Sequence, residues 1–269
     1  MRPAHAAQAL HAVAAREVLK FFQQQGRLWS ALVRPALWLL VFAAGFRSVF
    51  EPTAMAPYPQ PVDYQRYIVP GLCAMVLLFN GMQSSLSMVY DREMGMMRLL
   101  LTAPLPRWYL LFCKLCAGTV LSVLQVYAFL LIAWLAGAGL PWWGWLTALP
   151  ALVLSGMMLG ALGLLLAVFI KQLENFAGTM NFVIFPLFFI STALNPLARF
   201  RESGVVWVYR LAEINPFTHA VELIRFAAYG EFAGVACVVV AGSLAGFFGL
   251  AVVGYDPQRG LLRRSGQPG

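Results

Sequence analysis

The sequence predicts an all-α integral membrane protein with six transmembrane helices. Hydrophobic residues make up 61% of the 269 residues and charged residues only 11%, giving a mean hydropathy of +0.73. Charge-free runs of 24 residues at Tyr67–Tyr90, 56 at Leu115–Ile170, 24 at Asn175–Ala198 and 24 at Phe232–Tyr255 meet or exceed the roughly 20 residues that cross a bilayer. Lysines and arginines gather on alternate connections, as they do on the cytoplasmic side of multi-span proteins.

Residues 1–27 predict an interfacial amphipathic helix, since Leu10, Val13, Val18, Phe21 and Phe22 recur near helical spacing while Arg16, Lys20, Gln23 and Gln24 populate the other face. They do not form a cleavable signal, because no small-residue cleavage site follows a compact apolar core. The six-span domain occupies 28–255, with spans near 28–50, 67–90, 110–136, 146–170, 175–193 and 232–255. The first span is interrupted by Arg34 and Arg47, with twelve uncharged residues between them. That stretch is too short to cross, so both arginines are expected to snorkel toward headgroups. The 56-residue run holds two helices, broken at Gly137 to Trp145, where Gly and Pro meet three tryptophans suited to the headgroup level. A basic tail, 256–269, closes the chain.

With the N-terminus cytoplasmic, thirteen of the nineteen Lys and Arg fall on inner segments. The outer six, Arg47, Arg66, Arg199, Arg201, Arg210 and Arg225, are balanced by Glu51, Asp63, Glu202, Glu213, Glu222 and Glu231. The net charge of +8 therefore lies on the inner face, which points to anionic headgroups rather than nucleic acid and puts both termini in the cytoplasm.

Several chemistries are disfavoured. Lys20, Lys114 and Lys171 follow Leu, Cys and Ile, so none completes a Walker A loop. The charge-free runs hold no Asp, Glu, Lys or His for proton coupling, and there is neither a G-x-S-x-G motif nor a histidine within a span for an intramembrane hydrolase. Cys113-Lys114-Leu115-Cys116 is formally C-x-x-C, but without a second pair it reads as small buried hydrophobes, as do Cys73 and Cys237. No catalytic residue, metal ligand or cofactor is expected on this chain.

The informative stretch is Asp91 to Lys114, which carries six charges between two apolar runs. Pro104 and Pro106 break it, predicting a short cytoplasmic surface helix. Asp91-Arg92-Glu93-Met94-Gly95, Leu99-Leu100, Thr102-Ala103-Pro104, Arg107 and Lys114 resemble the E-x-G…LL…TP…R…K signature of type-2 ABC exporter permeases. The resemblance implies six spans with both termini inside and a coupling helix that docks on a separate ATP-binding subunit. Glu93 would seat that contact, Gly95 would permit the turn, Leu99 would sit within the helix, Thr102 and Pro104 would end it, and Arg107 would anchor the next span. Cys113 departs from the Gly that often precedes the Lys.

A second match precedes the last span. Asn215-Pro216-Phe217-Thr218-His219-Ala220-Val221-Glu222-Leu223-Ile224-Arg225 resembles the family's N-P-x-T-x-x-V-x-x-x-R segment, implying short external re-entrant helices. His219 could touch substrate or make a structural hydrogen bond. Phe185-Pro186-Leu187-Phe188-Phe189 is similar to the family's F-P-x-x-F kink at an exit gate. Asn80, Gln83, Ser84 and Ser87, at i, i+3, i+4 and i+7, share one face of the second span and could line a pathway or bond helices together. Gly156/Gly160 and Gly242/Gly246 are G-x-x-x-G pairs suited to close helix packing.

The resemblance implies a permease subunit of a bacterial inner-membrane ABC exporter. It would pair with a second copy of itself and two copies of an ATPase carrying ATP and Mg, and move an amphipathic or lipid-linked substrate out of the cytoplasm. The alternative is a membrane module that needs no ATPase, such as an assembly factor or receptor.

Overall fold

The computed structural model describes residues 15, 19, 33–41, 45, 56–58, 61–93, 106–170, 173–202 and 204–255. These residues form helices joined by short turns. After a helical segment at 33–41 come α1 (Tyr64–Glu93), α2 (Arg107–Leu135), α3 (Gly144–Thr147), α4 (Leu149–Phe169), α5 (Leu173–Phe189), α6 (Leu197–Glu202), α7 (Val206–Ile214), α8 (Pro216–Ala228) and α9 (Gly234–Gly254). Among the described residues, four stretches are long and apolar enough to cross a membrane: Tyr64–Tyr90, Trp108–Leu135, Gly144–Phe169 and Gly234–Gly254. A fifth, Gly178–Phe189, is apolar but shorter.

Of the expected interfacial helix, only Ala15 and Leu19 lie among the described residues, both helical; of the first span, 33–41 and Gly45 do. The tail 256–269 lies outside them. The 56-residue run divides between two of these apolar stretches, Trp108–Leu135 and Gly144–Phe169. α2 stops at Leu135, and the turn passes through Gly137 at φ +81°, a left-handed conformation that glycine adopts without strain.

α4 is the hub, packing against α1, α2, α8 and α9. Its composition allows this, because Gly156, Gly160 and Gly163 remove side chains from the faces where neighbours approach. A Cβ on Gly163 would lie 2.8 Å from the carbonyl oxygen of Gly81, and one on Gly81 would lie 3.0 Å from the backbone of Gly160. α1 and α4 thus meet backbone to backbone, a small-residue contact typical of helices in lipid. Gly156/Gly160 packs within the protomer. Around Gly242 and Gly246, by contrast, a Cβ would meet nothing within 4 Å. We expect Gly163→Leu to cost about 1–3 kcal/mol of stability by overpacking, measured as a fall in the thermal midpoint of the detergent-solubilised protein, while Gly246→Leu leaves it unchanged.

The helices alternate in direction. Met88 of α1 clusters with Leu111 and Leu115 of α2, Leu164 and Val168 of α4, and Ala251 of α9, while Val89 meets Ala167 of α4 and Phe176 of α5. One end of the bundle therefore gathers the end of α1 with the start of α2. The other end carries the start of α1 and the short helices α6–α8, with α8 packed on α1, α4 and α9.

Candidate functional site

The end of the bundle containing Glu93 is built by α1 running on past its apolar stretch. The expected span stops at Tyr90, but the helix continues through Asp91 and Arg92 to Glu93, 30 residues in all. At about 1.5 Å per residue that is about 45 Å, longer than the ~30 Å hydrocarbon core, so one end must project. Arg107 opens α2, whose first residues pack beside the last turns of α1. Glu93 and Arg107 thereby bracket the connection at one end of the bundle. Gly95, Leu99, Thr102 and Pro104 lie outside the described residues.

The polar face of α1 turns toward its neighbours in the protomer. The Asn80 amide donates to Gln125 Oε1 of α2, both side chains buried. Ser84 fills the gap left by Gly118, where a Cβ would lie 2.7 Å from its hydroxyl oxygen. The Ser87 hydroxyl donates to the Ser84 carbonyl at 2.7 Å. Gln83 Oε1 is buried and accepts no hydrogen bond from a described residue.

Sequence reasoning did not find the partner of Arg34. Its guanidinium carbon lies 4.1 Å from the ring centroid of Phe79, near the middle of Tyr64–Tyr90. Stacking on the aromatic face offsets part of the cost of desolvating the cation. The only signal was the charge itself within an apolar stretch. Because a mid-bilayer arginine costs about 2.5–3.5 kcal/mol on insertion scales, Arg34→Met is expected to raise the thermal midpoint; an unchanged or lower midpoint would show that the cation is fully compensated.

At the opposite end the N-P-x-T-x-x-V-x-x-x-R segment closes a joint. Asn215 caps α8, its Oδ1 accepting from the Phe217 N–H at 2.9 Å, and Pro216 takes the first helical position, where no N–H is needed. The Asn215 amide donates to the carbonyls of Leu187 at 2.8 Å and Ile190 at 2.6 Å, satisfying acceptors left over where α5 ends. Phe217 packs edge-on against Phe188, and Val221 is fully buried. His219 Nε2 hydrogen-bonds the Glu213 carbonyl oxygen at 3.0 Å, which fits the Nε2–H tautomer, so its ring is tied to the end of α7.

Arg225 completes the joint. It is buried, donates to Glu222 Oε1 at 2.6 Å and to the Thr192 carbonyl at 2.8 Å, and lies 4.3 Å from the Tyr67 ring centroid. The Tyr67 hydroxyl donates to the same Thr192 carbonyl at 2.9 Å. Burial alone would lower the arginine's pKa, but Tyr67, Glu222 and Tyr58 outweigh it and hold the guanidinium firmly protonated. Burial pushes the Tyr58 hydroxyl up, so it stays neutral beside the cation. Tyr58 Oη couples electrostatically to Arg225, yet neither it nor Arg225 Nε completes a well-aligned hydrogen bond among the described residues.

Phe185 and Phe189 of α5 stack with centroids 6.1 Å apart and stay partly exposed, with Pro186 between them inside the helix. Trp38 of the 33–41 segment meets Phe188 and Phe189 edge-on at 6.2 and 6.1 Å.

Residues 8–229 match the family described as ABC-2 type transporter. The chain belongs to that family. Among its relatives, ycf38 of Cyanophora paradoxa, named as a transport permease, is 30% identical over 207 residues, covering 74% of this chain and 67% of the relative. The protein of the same name from Porphyra purpurea is 28% identical over 222 residues, covering 81% and 73%. YbhR of Escherichia coli K12, named as a probable multidrug ABC transporter permease, is 29% identical over 171 residues, covering 62% of this chain and 45% of YbhR. The ABC-2 match ends at residue 229, just past Arg225, so both sequence motifs fall inside it. This chain is accordingly a membrane-spanning transport permease of the ABC type.

Proposed function

We propose that two copies of this permease pair with two copies of a separate ABC ATPase in a bacterial inner membrane and drive an amphipathic or lipid-linked substrate outward. The observation that carries this reading is family membership over residues 8–229. Residues 28–50 would form the first span and α5 with its continuation the fifth, making six spans with both termini cytoplasmic. The Glu93–Arg107 end would face the cytoplasm, and α6–α8 would sit at the outer face as the re-entrant helices. ATP and Mg stay on the partner, and no catalytic group is required here.

The 94–106 connection would be the coupling helix, with Glu93, Gly95, Leu99, Thr102, Pro104 and Arg107 at or beside the ATPase contact. α1 supports this role, since one helix, with Pro70 inside its first turns, joins Glu93 to Tyr67, which is tied to Thr192 and lies beneath Arg225. A push at the connection would travel along α1 toward the outer joint. The exposed aromatic face of α5, with Phe185, Pro186 and Phe189, would border the exit where the second copy closes the path. Gln83, with its unpaired oxygen, would be the member of the α1 polar face nearest such a role, while Asn80, Ser84 and Ser87 hold helices together. His219 would act on the exit by fixing α7 against α8.

The test is to extract the tagged protein gently from its native membrane and identify what co-purifies. Stoichiometric recovery of a Walker-motif ATPase is expected. Reproducible recovery of the folded permease without any such ATPase would overturn the reading.

A further inference from the structure

At the end of the bundle opposite Glu93, a cavity of about 450 Å³ opens between the start of α1, the α2–α3 turn and the α8–α9 turn, walled by Tyr58, Arg66, Trp134, Gly139, Pro141 and Tyr229 among others. That volume lies within the roughly 300–1,000 Å³ of small-molecule sites. The aromatic walls are fixed. Tyr58 meets Tyr229 edge-on at 4.7 Å, and Gly139 lets the turn close on Trp134, since a Cβ there would fall 2.8 Å from the indole Cδ1.

The charge of the cavity has one sign. Arg66 is the formally charged residue among the described lining. It is exposed, and no described carboxylate forms an ion pair with it; Asp63, the residue just before α1, is exposed and outside the lining. The field of Arg66 reaches the Tyr229 hydroxyl, whose pKa burial raises and this cation moderates.

Leu135, Trp142 and Phe232, each close in sequence to a lining residue, are 72%, 86% and 79% exposed, and the exposed carboxylates of Asp63 and Glu231 flank the lining in sequence as well. A soluble anion would use Arg66 and ignore these apolar residues. A phospholipid uses both, with phosphate on the guanidinium, the headgroup among Trp134, Tyr58 and Tyr229, and acyl chains along the exposed residues where apolar helices begin and end. We propose that the cavity holds the headgroup of one anionic phospholipid of the outer leaflet. The inference rests on the proposed function only for the side of the membrane it faces.

The experiment is native mass spectrometry of the full-length protein in neutral detergent, titrated with phosphatidylglycerol or phosphatidylcholine. One phosphatidylglycerol per chain is expected to be retained at least about tenfold better than phosphatidylcholine, since a cation at the phosphate favours a net anionic headgroup. Arg66→Gln is expected to abolish that preference, Arg66→Lys to restore part of it, and Trp134→Ala to weaken retention of both lipids. Arg201→Gln, an exposed arginine on α6, is the control and should match wild type. Both substituted cavity residues are exposed, so thermal midpoints without added lipid should stay unchanged.

Equal retention of the two lipids, or unchanged preference in Arg66→Gln, would overturn the proposal. So would displacement of the lipid by sn-glycerol phosphate at equal concentration, which would make the ligand a free anion. ATPase recovery reads the proposed function separately. Lipid preference without an ATPase would overturn only that function, and an ATPase without lipid preference would overturn only this site.

Discussion

Arg225→Ala lowers the stability of the solubilised protein by about 1.5–3 kcal/mol, the usual contribution of hydrogen bonds made by a charged group and less than the cost of breaking a fully buried ion pair, because Glu222 is 26% exposed. The arginine is 3% exposed and joins three elements, donating to Glu222 within α8 and to the Thr192 carbonyl beyond α5 while covering the Tyr67 ring of α1. Alanine leaves the Glu222 carboxylate without its cation, removes one of two donors from Thr192 and exposes the face of Tyr67 to a void. Arg225→Lys should fall between the two. A lysine keeps the charge, but a single ammonium cannot span two acceptors as the planar fork does.

The size of this effect comes from what is left unpaired. The combined change Glu222→Leu and Arg225→Met should therefore recover a large part of the loss, because replacing both ions by apolar groups of similar volume is often close to neutral. Thermal unfolding of the four proteins in one detergent decides this. A midpoint for Arg225→Ala equal to wild type would sink the joint as a stabilising element. A double variant no better than the single would show that the void, and not the orphaned carboxylate, sets the cost.

The helical class and the division of the long apolar run were legible in the sequence because both depend on local composition: apolar length sets a span, and Gly137 with Pro141 ends one. The importance of Asn215 and Arg225 was visible as a motif, but its physical content was not. The carbonyls of Leu187, Ile190 and Thr192 lie 25–33 residues away from their partners, and no periodicity reports such a contact. The α1 polar face was legible as a face, yet its partners Gln125 and Gly118 stand on α2, where pattern alone cannot say which residues oppose which. The partner of Arg34 was not legible for the same reason. Whether an arginine snorkels depends on what its neighbour offers at depth, and Phe79 becomes that neighbour only once the 33–41 segment packs on α1.

Glu93→Lys is expected to leave the helices and thermal midpoint intact while cutting ATPase recovery and export at least about tenfold, the result of a change of roughly 1.4 kcal/mol or more in docking free energy. The reasoning begins with placement. Glu93 ends α1 beyond the apolar stretch that stops at Tyr90. A basic residue is also tolerated at a helix C-terminus, where it complements the dipole. If a basic surface of the ATPase meets this end, reversing the charge turns attraction into repulsion, and such a change acts on docking more than on folding. Glu93→Gln separates the contributions, since it removes the attraction without adding repulsion and should retain more of both readouts than Glu93→Lys. ATP hydrolysis by the isolated ATPase should be unaffected, because the substitution lies on another chain. Export and ATPase recovery by Glu93→Lys at wild-type level would place the docking contact elsewhere in the 94–106 connection. Loss of export with full ATPase recovery would keep Glu93 in coupling but move its role from docking to the transmission of force along α1.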